Sequence, residues 1–149
     1  MSEVLFYHLE AGALEEVLPD LLARSVERGW QAVVQAGSEE RVRDLDAHLW
    51  TYEDASFLAH GSGADPFASE QPIWLTTGED NPNRASVRFL VDGAATETFD
   101  GYERVVFVFG GDADALAGVR AAWRRAREGG HAVAYWRQDA RGRWAKQDI

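Results

Sequence analysis

The chain has 149 residues, of which 46% are hydrophobic and 11% aromatic. That is apolar mass for one folded domain over residues 1–149 and not for a disordered tail. It has no cysteine, which excludes disulfides, thiolate zinc sites and cysteine nucleophiles, and no apolar run of about 18 residues, which excludes a membrane-spanning helix. A formal net charge of -10 predicts repulsion from nucleic acid and anionic membrane, and an N-terminus without a basic region predicts a cytoplasmic protein.

Val4–Leu9 reads as a short strand. Leu14–Arg28 carries apolar residues at helical spacing, with Pro19 inside it. Proline cannot donate to the carbonyl four residues back, so a kink at Pro19, or a helix that begins there, is expected. Gly29 is placed to end this helix. Ala32–Gln35 reads as a buried strand. Ser38 is an N-cap for a helix to about Trp50, with Glu39 and Glu40 at the positive end of its dipole.

The stretch Ser56–Gln71 reads as loop, with Gly61, Gly63 and Pro66. Ile73–Thr76 and Val87–Val91 are strands, separated by a polar turn over Gly78–Asn83. Val105–Phe109 is the most apolar strand and the expected centre of a sheet. Gly110-Gly111 then leads into a helix capped by Asp112 or Asp114 and ended by Gly129-Gly130. Ala132–Trp136 is a strand, and a turn over Asp139–Gly142 returns a last short strand through Trp144. This order predicts an α/β layered domain. Its sheet is central, mixed and partly parallel, flanked by helices, and Rossmann-like without a nucleotide-binding loop.

Catalytic motifs are scarce. The only lysine is Lys146, so no Walker motif exists. Phe109-Gly-Gly-Asp-Ala-Asp is a strand-to-helix turn, but an acid at the helix start repels a pyrophosphate. A nucleotide-binding enzyme using Gly110-Gly111 is the alternative reading, resting on the α/β pattern alone. The four histidines are scattered, and Asp112-x-Asp114 and Asp44-x-Asp46 read more simply as helix starts and solvated faces than as metal ligands. No metal or cofactor is expected.

Charge is unevenly distributed. Residues 1–111 hold 7 arginines and 20 acids, whereas residues 112–149 hold 8 cations and 5 acids. Within the last helix, Arg120, Trp123, Arg124 and Arg127 fall at i, i+3, i+4 and i+7, on one side. At about 100° per residue from Leu116, the core face (Ala115, Val119, Ala122, Ala126) spans about 240–300° and the arginines about 20–80°. Trp123 lies on the seam at about 340°. One reading is a solvated face whose arginines pair with nearby acids. The other is a site for an acidic partner that also carries an apolar group. Trp50 and Phe57 likewise read either as cover for the core edge or as an apolar docking patch.

Several of these residues carry a family likeness. Phe6-Tyr7, Gly29, Arg43-x-Leu-Asp-x-x-Leu-Trp50, Ser56-Phe57-x-x-His60, Pro72-Ile-Trp74 and the helix with Arg120, Trp123 and Arg124 resemble the chi subunit family of bacterial DNA polymerase III holoenzyme. The resemblance covers about residues 3–136, and the stretch from Arg137 extends beyond the shortest members. It implies a non-catalytic adaptor. Such proteins bind the C-terminal tail of single-stranded-DNA-binding protein, an acidic peptide ending in an aromatic residue, and the psi subunit of the clamp loader. The tail-binding positions carried over are Arg120, Trp123 and Arg124, and the psi-facing ones Trp50 and Phe57. The family often has tyrosine and lysine at the positions of Trp123 and Arg124. A family basic residue one turn earlier aligns near Leu116 and is missing here, and Arg127 stands as its compensation.

Overall fold

The computed structural model describes residues 2–10, 13–51, 60–62, 67–96 and 98–147, with Trp50 and Thr51 described by their backbone. The elements are β1 (Glu3–His8), α1 (Leu14–Glu27), β2 (Ala32–Gln35), α2 (Glu39–Thr51), β3 (His60–Ser62), β4 (Ile73–Thr76), β5 (Val87–Leu90), β6 (Arg104–Phe109), α3 (Ala113–Glu128), β7 (Ala132–Gln138) and β8 (Trp144–Gln147). They build an eight-stranded sheet in the order β3-β4-β2-β5-β6-β1-β7-β8. All pairings are parallel except β7 with β8. The mixed α/β sheet flanked by helices is the architecture expected from the strand and helix order.

Side-chain alternation divides the core into two layers. Leu5, Val34, Leu75, Phe89, Val106 and Val108 face α1 and α2, where they pack on Leu18, Leu22, Leu45 and Leu49. Val4, Phe6, Leu90, Val105, Phe107 and Phe109 face the opposite way, onto Val119, Ala122 and Ala126 of α3. Burying one such Leu, Val or Phe contributes roughly 1.5–3 kcal/mol. The two helices on one face and one on the other follow from the crossovers: β1 leads through α1 across β6 and β5 to β2, and β6 leads through α3 across β1 to β7.

Two expectations are corrected. Pro19 does not start α1, which runs from Leu14 through it to Glu27. The carbonyl of Glu15, deprived of a donor by the proline ring, lies 2.7 Å from Nε2 of His48 on α2. The second correction falls inside the expected loop 56–71. His60–Ser62 forms edge strand β3 beside β4, and Ala68–Glu70 forms a 3-10 turn. A His-Gly-Ser strand carries no apolar alternation, and its partner β4 supplies the hydrogen-bonding template.

Other local chemistry follows the sequence. Ser38 Oγ accepts from Arg41 N at 3.1 Å, capping α2. The Asp112 carboxylate accepts from Ala115 N at 2.8 Å, which settles Asp112 over Asp114 as the cap of α3. Gly29 (φ 83°) and Gly130 (φ 77°) take the left-handed conformation that stops α1 and α3. The expected strand through Trp144 is β8, and its indole meets the Tyr7 ring edge-on at 5.0 Å.

Candidate functional site

The site is built on α3. Alanines and Val119 seat the helix on the sheet, and that seating fixes where its other faces point. Arg125, on one flank, donates from Nη2 to the Thr96 carbonyl at 2.8 Å and lies 5.7 Å from the Phe99 ring. That contact ties one flank to the loop after β5. At about 100° per residue, Arg120, Trp123 and Arg127 emerge on the opposite flank, toward β1 and β7.

Trp123 occupies the seam its sequence position gives it. It is half-buried, with its ring centroid 5.3 Å from that of Phe6 on β1 at 49°. Phe6 is fully buried and stacks on Phe107 at 5.1 Å, so the indole rests on a fixed aromatic base. Val133 and Tyr135 of β7 are half-buried and pack on the same cluster. These residues edge an apolar shelf below the arginines. The Tyr135 hydroxyl lies 2.7 Å from Nδ1 of His8. Burial raises the pKa of Tyr135 and lowers that of His8, to which nearby Arg137 adds, so burial favours the neutral form of both partners.

Arg120, Arg124 and Arg127 are exposed, and among the described residues none is in an ion pair. The Arg127 guanidinium lies 5.9 Å from the Trp123 ring centroid, which ties it to the indole. Of the four residues foreseen from helical spacing, Arg120, Trp123 and Arg127 therefore share one flank of α3, and Arg124 lies beside them on its outer face. The shelf residues Val133 and Tyr135 were read only as strand. Their alternation in Ala132–Trp136 was the available signal, but which face they join depends on α3 packing.

Of the second foreseen pair, Trp50 falls in the last turn of α2 and its side chain lies outside the described residues, as does Phe57 entirely. The Gly110-Gly111 turn does lead into α3. Its first-turn donor at Ala115 is taken by Asp112, and Asp114 adds a second carboxylate, so the turn opposes a phosphate. Among the described residues no helix is long and apolar enough to cross a membrane.

Fold and flank together define a three-layer α/β protein, a sheet with helices on both faces, that presents a cationic, apolar-edged helix. A family model described as DNA polymerase III chi subunit, HolC matches residues 1–134. The chain is also 29% identical over 91 residues to a protein of Rickettsia prowazekii (strain Madrid E) named probable DNA polymerase III subunit chi. That match covers 61% of this chain and 55% of the relative, so it spans about half the relative's length. The chain belongs to the DNA polymerase III chi subunit family. Membership supports an accessory role in DNA replication. The end of β7 and all of β8 lie beyond the family match.

Proposed function

We propose that the protein is a non-catalytic replisome adaptor that links the clamp loader, through a psi-like subunit, to the acidic C-terminal tail of single-stranded-DNA-binding protein. The observation that carries this reading is the α3 flank, where Arg120, Arg124 and Arg127 have no acid partner among the described residues and border the half-buried Trp123. Arginine forks suit the tail's Asp side chains and terminal carboxylate. The shelf of Trp123, Val133 and Tyr135 suits its aromatic end. Affinity is modest, because a disordered tail must be ordered on binding, and falls with salt, because the charges are exposed. The net charge of -10 disfavours direct DNA contact, so the adaptor reaches nucleoprotein through the protein partner.

The psi-like contact is assigned to Trp50 and Phe57, on the strength of the Leu-Asp-x-x-Leu-Trp run that ends α2. Calorimetric titration of a tail peptide into wild type and Arg120→Ala tests the first surface. Weaker binding by the variant is expected, and equal binding would sink the site. Trp50→Ala tests the second: it should lose the clamp loader in a pull-down while keeping the tail.

A further inference from the structure

On the opposite face of the sheet from the α3 stripe, a cavity of about 140 Å³ opens between α1 and strands β1, β5 and β6. Its apolar lining comes from Leu5, Val87, Phe89 and Val106, and Tyr7 joins them. Arg24, Arg28 and Arg104 also line it, in a chain with 25 acids and 15 Lys and Arg residues. Among the described residues Arg24 and Arg28 have no ion-pair partner, while Arg104 donates to Glu3 at 2.8 Å.

Two of these guanidiniums are held in place. Arg28 lies 5.1 Å and Arg104 5.3 Å from the same Trp30 ring, which restricts two long side chains before any ligand arrives. The Tyr7 hydroxyl has no hydrogen-bond partner among the described residues. Burial raises its pKa and Glu3, the partner of Arg104, adds to that, while Arg104, Arg24 and Arg28 pull it back, so three cations and one acid act on this oxygen. An unpartnered donor, an apolar lining and convergent guanidiniums are complementary to one kind of ligand.

We propose that this cavity binds the oxyanion end of a small organic anion, a phosphate or carboxylate head on a compact apolar body. Arg24 and Arg28 grip the head, the Tyr7 hydroxyl donates to it, and the body lies on Leu5, Phe89 and Val106. Beyond Leu21 and Arg24, which line both spaces, a larger groove of about 400 Å³ carries Glu16 and Asp20. Arg24 and Arg141 line that groove as well and balance the two carboxylates, so the excess of positive charge lies in the smaller cavity.

The test follows side-chain NMR of Tyr7 during titration of the full chain with phenyl phosphate, benzoate and inorganic phosphate. Phenyl phosphate and benzoate should shift the Tyr7 ring, with inorganic phosphate about fivefold weaker because it lacks the apolar body. Whichever aromatic probe binds tighter identifies the head as phosphate or carboxylate. Arg24→Gln with Arg28→Gln should weaken binding about tenfold or more, and Tyr7→Phe about threefold. Arg24 and Arg28 are exposed, so the double variant keeps its fold, which a melting curve verifies. Arg120→Ala should leave the binding unchanged, so this site and the α3 flank succeed or fail separately. Shifts on α3 in place of Tyr7, full affinity in the double variant, or no shift by any probe at about 10 mM would overturn the proposal.

Discussion

His48 supplies to Glu15 the donor that Pro19 withholds. The ring nitrogen Nε2 lies 2.7 Å from the Glu15 carbonyl oxygen, the acceptor an N–H at position 19 would have filled. The Arg41–Glu15 ion pair joins the same turn of α1 to α2. His48→Ala should therefore destabilise the fold by about 1–2 kcal/mol. With Pro19→Ala, the restored N–H refills the carbonyl, and the loss from His48→Ala should shrink by about 0.5 kcal/mol or more in a double-mutant cycle. Urea unfolding of the four proteins measures this, and strictly additive effects would refute the compensation.

Arg127 differs from its neighbours because it lies over the Trp123 ring and not free in solvent. An exposed charge pair is worth about 0.2–1 kcal/mol, so Arg127→Ala, which removes one guanidinium from the peptide's acids, should weaken tail-peptide binding by up to about fivefold at low salt. Arg120→Ala and Arg124→Ala remove charges that no acid among the described residues neutralises, and their effect should shrink as ionic strength rises. Trp123→Phe should retain the contact with Phe6 and part of the binding, whereas Trp123→Ala should lose both. Titrations at two salt concentrations separate the charge contributions from the ring.

The α3 flank was legible because its determinants are local. Asp112 caps the helix, Gly130 ends it, and 100° per residue places Trp123 between core and cations. Strands β2, β4 and β6 were legible from continuous apolar runs. What the sequence hid is nonlocal. Strand β3 exists through β4, not through its own His-Gly-Ser, and α1 survives Pro19 through a histidine 29 positions on. The shelf under Trp123 needs α3 packed on β1 before Val133 and Tyr135 can belong to it. The cavity under α1 needs three separate elements to bring Arg24, Arg104 and Tyr7 together.

Arg88 is 1% exposed, and among the described residues its donors meet neutral oxygens. Nε and Nη2 reach Gln35 Oε1 at 3.0 and 2.5 Å, Nη1 reaches the Asp80 carbonyl at 3.2 Å and the Tyr102 hydroxyl at 3.0 Å, and Nη2 also donates to the Gly78 carbonyl. A lysine keeps the charge, but its single nitrogen cannot reach acceptors spread over β2 and the loop after β4. Arg88→Lys should leave at least one buried acceptor unfilled and cost about 1–3 kcal/mol. A denaturation midpoint equal to wild type would show that the fork geometry is dispensable.

His8 makes the fold sensitive to mild acid. It is 8% exposed, burial lowers its pKa beneath the ordinary 6.5, and its Nδ1 lies 2.7 Å from the Tyr135 hydroxyl oxygen. The unfolded chain therefore binds a proton more readily than the folded one, and stability falls as pH drops below 6.5 toward the lower folded value. Protonation makes both ring nitrogens donors, so Nδ1 can then only donate to the Tyr135 hydroxyl oxygen. Glu15 and Asp80 act in a separate, more acidic window. Burial alone would raise their pKa values, but hydrogen bonds outweigh it: for Glu15, its own backbone N–H and then Arg41; for Asp80, Thr76 and then Trp74. Both end below their ordinary 4.5 and 3.8, so their contribution is lost only as pH falls below those values. Between pH 6.5 and 5, His8→Gln should flatten the decline in melting temperature seen for wild type, even if it starts from a lower value. An unchanged slope in that interval would remove His8 as its source.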